Sequence, residues 1–141
     1  MDSPPRHPHV ASCVNLSVAN LDQAQAWYCE KLGFRMRVRR QYSAMNLEIA
    51  FLERDGFEVE LIQFAGSQPA PAYPDPPQHA KVRGATHFGI GVPDLERACA
   101  DLLAADVPIL FGPKTFEDVG IRVAFFRDPE GNLLKYVERL A

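Results

Sequence analysis

His87 opens the part of the chain whose residue types are best suited to chemistry. In Thr86–Ala98, the alternation of a short strand puts His87, Gly89 and Gly91 on one face and apolar residues on the other. Because the two glycines carry no side chain, this face has little bulk beyond one imidazole, a group that exchanges protons near neutral pH. The pattern predicts a hollow that a ligand fills, with Gly89 and Gly91 against the ligand.

The same pattern occurs twice in the chain. Cys13–Ala24 repeats the strand and the start of the helix 74 positions earlier, so that Cys13 corresponds to His87. Counting back from the last strand of each half, Glu60 corresponds to Lys135, after a slip of one residue that a loop insertion explains. The sequence therefore predicts two copies of one structural unit, with chemically active side chains at equivalent positions.

Hydrophobic periodicity gives each copy the order βαβββ. A helix is expected from about Leu21 to Leu32, ended by Gly33, and its counterpart from about Leu95 to Ala104. The expected strands are Cys13–Val18, Phe34–Arg40, Asn46–Glu53, Phe57–Phe64, Thr86–Val92, Pro108–Phe111, Gly120–Phe126 and Leu133–Glu138. The predicted fold class is α+β.

Composition indicates where the tail, the two modules and the linker between them begin and end. Residues 1–10 are expected to be a flexible tail, 11–64 the first module, 65–83 a proline-rich linker and 84–141 the second module of one structural domain. His7 and His9 in the tail are expected to be solvated rather than ligands.

Charge and cysteine content narrow the possible partners. A net charge of −3 gives no electrostatic reason to expect nucleic acid or an anionic membrane. No apolar run approaches the length of a membrane span. The three cysteines show no CxxC spacing. We therefore expect a cytoplasmic protein with a small-molecule ligand.

Three groups of motifs resemble the vicinal oxygen chelate superfamily, which includes glyoxalase I, bleomycin-binding proteins and extradiol dioxygenases. They are Val14–Val18 leading to Trp27-Tyr28 and Leu32-Gly33-Phe34, then His87, and then Phe126–Asn132 before the last strand. The resemblance implies two tandem βαβββ modules that form a curled mixed sheet around a cup, and pairing of chains into a homodimer. It indicates the fold much more strongly than the reaction.

In metal-binding members of that family, four side chains on the first and last strands of the modules hold a divalent ion. The equivalent positions here are Cys13, Glu60, His87 and Lys135, of which only Glu60 and His87 match the family pattern. A protonated lysine has no lone pair for a metal, but its charge could replace that of the metal. A Cys13–Glu60–His87 site for zinc or nickel is one alternative. The other is that Cys13 is a small buried hydrophobe and Glu60–Lys135 a structural ion pair.

Two polar residues on the cup-facing side of the first strand suggest how a ligand is oriented. Asn15 and Ser17 could donate or accept hydrogen bonds with a neutral or mixed-polarity ligand. Glyoxalase I, by resemblance, carries a glutathione-binding arginine where this chain has Ser17. A glutathione-dependent glyoxalase is therefore disfavoured.

Three hypotheses for the function follow. The first is a glyoxalase-like isomerase, epimerase, cyclase or lyase without the usual metal, in which Glu60 abstracts a proton next to a carbonyl, His87 exchanges protons and Lys135 stabilises the enolate. The second is a bleomycin-resistance-like protein that binds a drug or metabolite without changing it. The third is a metal-dependent lyase or isomerase with the altered ligand set, which predicts stoichiometric zinc or nickel.

Overall fold

A computed structural model describes residue 3 and residues 8–141 of the chain. The expectation for His7 lies outside the described residues, whereas His9 is described and exposed. The chain forms the predicted α+β fold, with two helices and two four-stranded mixed sheets. Neither described helix is long and apolar enough to cross a membrane.

The two modules have the same order of elements. In the first module these are β1 (Cys13–Ser17), α1 (Leu21–Leu32), β2 (Arg35–Tyr42), β3 (Leu47–Arg54) and β4 (Phe57–Phe64). In the second they are β5 (Phe88–Gly91), α2 (Leu95–Ala104), β6 (Phe111–Phe116), β7 (Ile121–Arg127) and β8 (Leu133–Arg139). Short 3-10 turns cover Ser43–Met45 and Gln78–Lys81.

Strand order confirms that the unit is repeated. The first sheet runs β1-β4-β3-β2 and the second β5-β8-β7-β6. In each sheet the first strand pairs in parallel with the last strand of its module, and the other pairs are antiparallel. The two sheets are separate hydrogen-bonded ladders that do not close into one.

Local sequence explains the helix boundaries. The side chain of Asn20 accepts a hydrogen bond from the backbone of Gln23 and so caps α1. Asp94 caps α2 through the backbone of Arg97 in the same way. Helix α1 ends at Gly33, whose φ of 73° lies in the left-handed region that glycine adopts without strain.

The predicted strand Pro108–Phe111 was wrong, because β6 begins where that strand was expected to end. The segment from Phe111 to Phe116 contains Gly112 and Pro113, and its pairing with β7 shifts register between Phe111 and Lys114. A bulge and a proline interrupt the alternation of apolar and polar residues by which a strand is recognised in a sequence. Proline is tolerated here because β6 lies at the edge of its sheet.

The proline-rich segment is held against the second module rather than being detached from it. Arg127 Nη2 donates to the backbone carbonyl of Tyr73 at 2.8 Å and pairs with Asp75 at the same distance. The segment then forms the 3-10 turn at Gln78–Lys81, although its sequence had indicated neither helix nor sheet. This turn brings a histidine to the surface of the second sheet.

One hydrophobic core joins the two modules. It contains the inward-facing side chains of both helices and of one face of each sheet. The rings of Phe57 on β4 and Phe88 on β5 stack across the junction, with centroids 6.3 Å apart. Within this core the Tyr28 hydroxyl donates a 2.7 Å hydrogen bond to the Asp128 carboxylate. We call the core-facing side of each sheet its inner face and the opposite side its outer face.

The buried Tyr28–Asp128 hydrogen bond should contribute measurably to stability. Burial and the Asp128 charge raise the pKa of Tyr28, so the hydroxyl remains a donor. We expect Tyr28→Phe to lower the free energy of unfolding by about 1–3 kcal/mol, since the carboxylate loses a charge-assisted hydrogen bond. Urea denaturation measures the change. Tyr42→Phe on the edge strand β2 is the control and should change stability by less than about 0.5 kcal/mol; equal losses in the two variants would contradict the prediction.

Candidate functional site

The first group of predicted site residues lies on the outer face of the first sheet. Strand parity places Cys13, Asn15 and Ser17 on the side opposite the buried residues Val59 and Leu61 of β4. Asn15 pairs with Glu60 in the parallel register of β1 and β4, and Phe51 of β3 lies on the other side of Glu60. We call Cys13, Asn15, Ser17 and Glu60 the first half-site.

The surroundings of the first half-site leave one carboxylate free. Arg37 pairs with Glu58 at 2.9 Å and lies over the Phe51 ring, 5.1 Å from its centroid. Glu60, by contrast, forms no ion pair with any residue that the structure describes. The Cys13 thiol donates a 3.3 Å hydrogen bond to the Asn15 side chain. Glu60 is therefore available to a ligand.

The second group lies on the outer face of the second sheet. Gly89 pairs with Lys135 across β5 and β8, and a Cβ at position 89 would lie 3.3 Å from Cε of Lys135. The missing side chain thus gives the lysine room to lie over β5. At Gly91, a Cβ would meet only the carbonyl oxygen of Val137, at 4.0 Å. We call His87, Gly89, Gly91 and Lys135 the second half-site.

Aromatic rings surround His87. Its ring centroid lies 5.0 Å from that of Phe125 and 5.3 Å from that of His79. The Thr86 hydroxyl lies 2.6 Å from Nδ1 of His87. Burial, then the positive charges of Lys135 and His79, lower the pKa of His87 to about 4. The imidazole is therefore neutral at pH 7.

Sequence reasoning missed His79. This residue lies in the 3-10 turn that follows the proline-rich segment, where no periodicity indicates which face a side chain takes. Its Nδ1 atom is buried without a hydrogen-bond partner among the described residues. The only signal for His79 in the sequence is its own residue type, a histidine close after a run of prolines.

The structure brings His87 and Lys135 together but shows no contact between either residue and Glu60. The two half-sites lie on separate sheets, each on the face turned away from the shared core. No group of three potential metal ligands occurs in the part of the chain that the structure describes. Within one chain, the residues present therefore do not fit the metal site considered above. The roles predicted for Cys13, Glu60, His87 and Lys135 stay predictions.

Comparison with known families agrees with this architecture. Residues 6–136 match the family described as the glyoxalase/bleomycin resistance protein/dioxygenase superfamily. The chain belongs to this superfamily. No curated protein sequence matches it closely enough to add to that assignment.

Solved structures of other superfamily proteins share the fold. A glyoxalase family protein from Bacillus cereus is 18% identical, with a TM-score of 0.73 over 99% of this chain and 100% of that one. A trypanothione-dependent glyoxalase I from Leishmania major is 22% identical, with a TM-score of 0.66 over 93% of this chain and 87% of that one. Glyoxalase I from Zea mays is 20% identical and has a TM-score of 0.69 over 92% of this chain and 44% of that one. At these identities the likeness concerns the fold alone.

The surroundings of His87 predict an unusual titration. Protonation of His87 should have a midpoint near pH 4 rather than at its ordinary 6.5. Because the folded state binds this proton less tightly, the contribution of His87 to stability is complete above about pH 6.5 and is lost as the pH falls toward 4. NMR titration of the imidazole C–H signals measures the midpoint.

Variants separate the causes of this lowered pKa. Lys135→Met removes a positive charge and should raise the His87 midpoint, though not fully to 6.5, since burial is the largest cause. Lys114→Met on β6 removes an equal charge that does not act on His87 and should leave the midpoint unchanged. A native midpoint close to 6.5 would show that His87 is not held in this environment.

Proposed function

We propose that this protein is a glyoxalase-like enzyme that transfers a proton at a carbon next to a carbonyl group, in a site completed by a second copy of the chain. The observation that carries the proposal is the pairing of His87 with Lys135 on one half-site while Glu60 lies free on the other. A neutral base, a cation and a carboxylate are the groups that enolate chemistry needs.

The chemistry follows from the three side chains. Glu60 takes the proton from the carbon, and the electron pair moves onto the carbonyl oxygen to give an enolate. The Lys135 ammonium stabilises that oxyanion, which a dry site makes worth several kcal/mol. His87 exchanges a proton with the substrate at an adjacent atom, and its lowered pKa means that it enters this exchange as a neutral imidazole rather than as an imidazolium. Return of the proton to a different face or atom gives an epimerase or isomerase, and loss of a leaving group gives a lyase.

A homodimer supplies the missing half of each site. The two half-sites lie on separate sheets, and no group of three potential metal ligands forms among the described residues, so that one chain offers two different half-sites. In a two-fold dimer, the first half-site of one chain can face the second half-site of its partner. Two equivalent cups result, each with Glu60 from one protomer and His87 and Lys135 from the other.

The outer faces favour a substrate with an apolar, planar part. Phe51 and Ile62 flank Glu60 on the first sheet, and Phe111 and Phe125 accompany Lys135 on the second. Asn15 and Ser17 can hydrogen-bond to polar substituents of the substrate. The absence of a side chain at Gly91 leaves room for it above β5, next to the Lys135 side chain that lies over Gly89.

The same aromatic faces support a second candidate, a protein that binds a drug or metabolite without changing it. In that case the partly exposed rings of Phe51 and Phe111 supply the affinity and the charged groups are incidental. Binding would then survive the loss of Glu60, and no proton would exchange.

The metal-dependent lyase or isomerase is the weaker alternative. It needs Cys13 and Glu60 from one chain and His87 from another around a zinc or nickel ion. Lys135 acts on His87 as a positive charge, which would repel a divalent cation at that place. We propose a cytoplasmic location because the three cysteines, which are free, suit a reducing compartment.

Loss of the Glu60 carboxylate tests proton abstraction directly. In D₂O, the native protein should catalyse deuterium incorporation next to the carbonyl of at least one member of a panel of 2-oxo acids, acyl thioesters and hydroxyketones, followed by NMR. Glu60→Gln should slow this exchange at least about 100-fold while retaining binding. Glu117→Gln, on an exposed turn, is the control. Binding of panel members without exchange by the native protein would favour the binding protein instead.

Mixed dimers test whether two chains share one site. Glu60→Gln and Lys135→Met should each be inactive alone, after light scattering has shown the native protein to be a dimer. Unfolding and refolding an equal mixture makes half of the dimers mixed, each with one intact cup, so about a quarter of the native exchange rate should return. No recovery from such a mixture would mean that one chain forms the whole site.

A further inference from the structure

We propose that a cavity between the two modules, on their inner side, binds an organic cation with an apolar body. The cavity has a volume of about 560 Å³, within the range of small-molecule sites. It lies between the end of α1, the turn from β3 to β4, and α2. We call it the inter-module cavity and define it by Glu30, Lys31, Arg54, Asp101, Leu102 and Tyr136.

The inter-module cavity exists because the two copies of the repeat differ at one contact. In the first copy, Tyr28 on α1 fills the space beneath the turn from β7 to β8 and bonds to Asp128. The position 74 residues after Tyr28 is Leu102, and the position 74 residues before Asp128 is Arg54. Leu102 and Arg54 both line the cavity. The cavity is thus the counterpart of the filled Tyr28–Asp128 contact, left open because leucine is shorter than tyrosine.

A second difference between the two copies of the repeat widens the opening of the inter-module cavity. Trp27 on α1 packs against Tyr28 and Phe126, with ring centroids 5.0 and 6.5 Å away. Its counterpart on α2 is Asp101, which is exposed and borders the cavity. Replacement of two aromatic side chains by an aspartate and a leucine removes bulk and adds a charge at the rim.

The inter-module cavity is distinct from the proposed catalytic cup. Its lining comes from both helices, from the turn between β3 and β4 and from inner-face residues of β4, β5 and β8, whereas the half-sites lie on the outer faces. Of the predicted site residues only Gly91 borders it, at the end of β5. A ligand could therefore occupy the cavity without contacting Glu60, His87 or Lys135.

The floor of the cavity suits a flat apolar group. Phe34, Phe57 and Tyr136 line it, and Tyr136 is only 7% exposed. Burial raises the pKa of Tyr136, so that its hydroxyl stays protonated. This hydroxyl forms no hydrogen bond with any described residue and remains available to a polar group on the ligand.

The charges at the rim sum to one negative charge, since the carboxylates of Glu30, Asp55 and Asp101 outnumber the cations of Lys31 and Arg54. Lys31 donates to the backbone carbonyl of Ala105 at 2.8 Å. Arg54 donates to the carbonyl of Leu32 and pairs with Asp55 at 3.3 Å. The carboxylates of Glu30 and Asp101 have no ion-pair partner among the described residues. A cationic group on the ligand would pair with them, and an anionic group would be repelled.

Three probes with the same body and different charge test this inference. We would titrate the native protein with 4-phenylbutylamine, 4-phenylbutanol and 4-phenylbutyrate and follow the backbone amide signals by NMR. The amine should bind at least about fivefold more tightly than the alcohol, and the butyrate more weakly still. The shifted signals should come from α2 and the end of α1. Equal affinities, or no saturation at millimolar amine, would overturn the proposal.

Matched variants locate the binding. Asp101→Asn should weaken amine binding about threefold and leave the alcohol unaffected, whereas Glu117→Gln should change neither. Leu102→Tyr restores the bulk that Tyr28 provides in the first copy and should abolish binding of all three probes. Thermal unfolding checks that this variant folds; if it does not, Ala105→Phe fills the same cavity from a less buried position.

A variant of the cup separates this inference from the proposed function. Lys135→Met should eliminate proton exchange in the cup and leave amine affinity unchanged. Loss of amine binding in Lys135→Met would place the amine in the cup and overturn the inference, whatever the exchange experiment shows. Failure of the exchange experiment, in turn, does not affect the amine titration.

Discussion

Two sheets that each have one apolar face can hide those faces within a short chain only by packing them together with their helices. In this protein the main core does so, with Phe57 against Phe88 at the junction, while a smaller cluster of Val123, Phe125 and Leu133 lies on the outer face of the second sheet. The polar and charged residues of the candidate site lie on the outer faces, opposite this main core. Burial therefore determines more than stability, because it also decides which side chains remain on the faces where a ligand can bind.

The internal repeat contributes symmetry to the fold and asymmetry to the chemistry. Equivalent positions hold Cys13 and His87, and Glu60 and Lys135, so that the two half-sites differ in charge and in proton affinity. The inner side differs between the copies in the same manner, since Tyr28 fills what Leu102 leaves open. The two copies of the unit therefore share nearly the same arrangement of strands and helix but differ in the side chains on their inner and outer faces.

Local pattern predicted the parts of this structure that local physics decides. The bounds of α1 and α2 follow from apolar spacing and from the caps Asn20 and Asp94, while β6 was misplaced where Pro113 and a bulge interrupt alternation. Strand parity put His87 on one face with Gly89 and Gly91, whereas Lys135 was assigned to the site through the internal repeat and the family resemblance. The orientation of one module against the other depends on contacts between distant residues, so the separation of Glu60 from His87 could not be predicted. His79 was missed because a loop has no hydrophobic period that indicates the face on which a side chain lies. The inter-module cavity was missed because it results from small side chains at positions where the other copy of the unit has large ones.

The proline and bulge of β6 also bear on how copies of the chain associate. An edge strand with open N–H and C=O groups can add another strand without limit. Pro113 has no N–H to offer, and the register shift beside it disturbs the edge of the second sheet. At the outer edge of the first sheet, β2 carries the charged side chains Arg35, Arg37, Arg39 and Arg40, three of which pair with carboxylates, and charged side chains on an edge strand discourage the addition of another strand. Both of these edges therefore have features that oppose the addition of further strands, so that polymerisation into fibres is disfavoured.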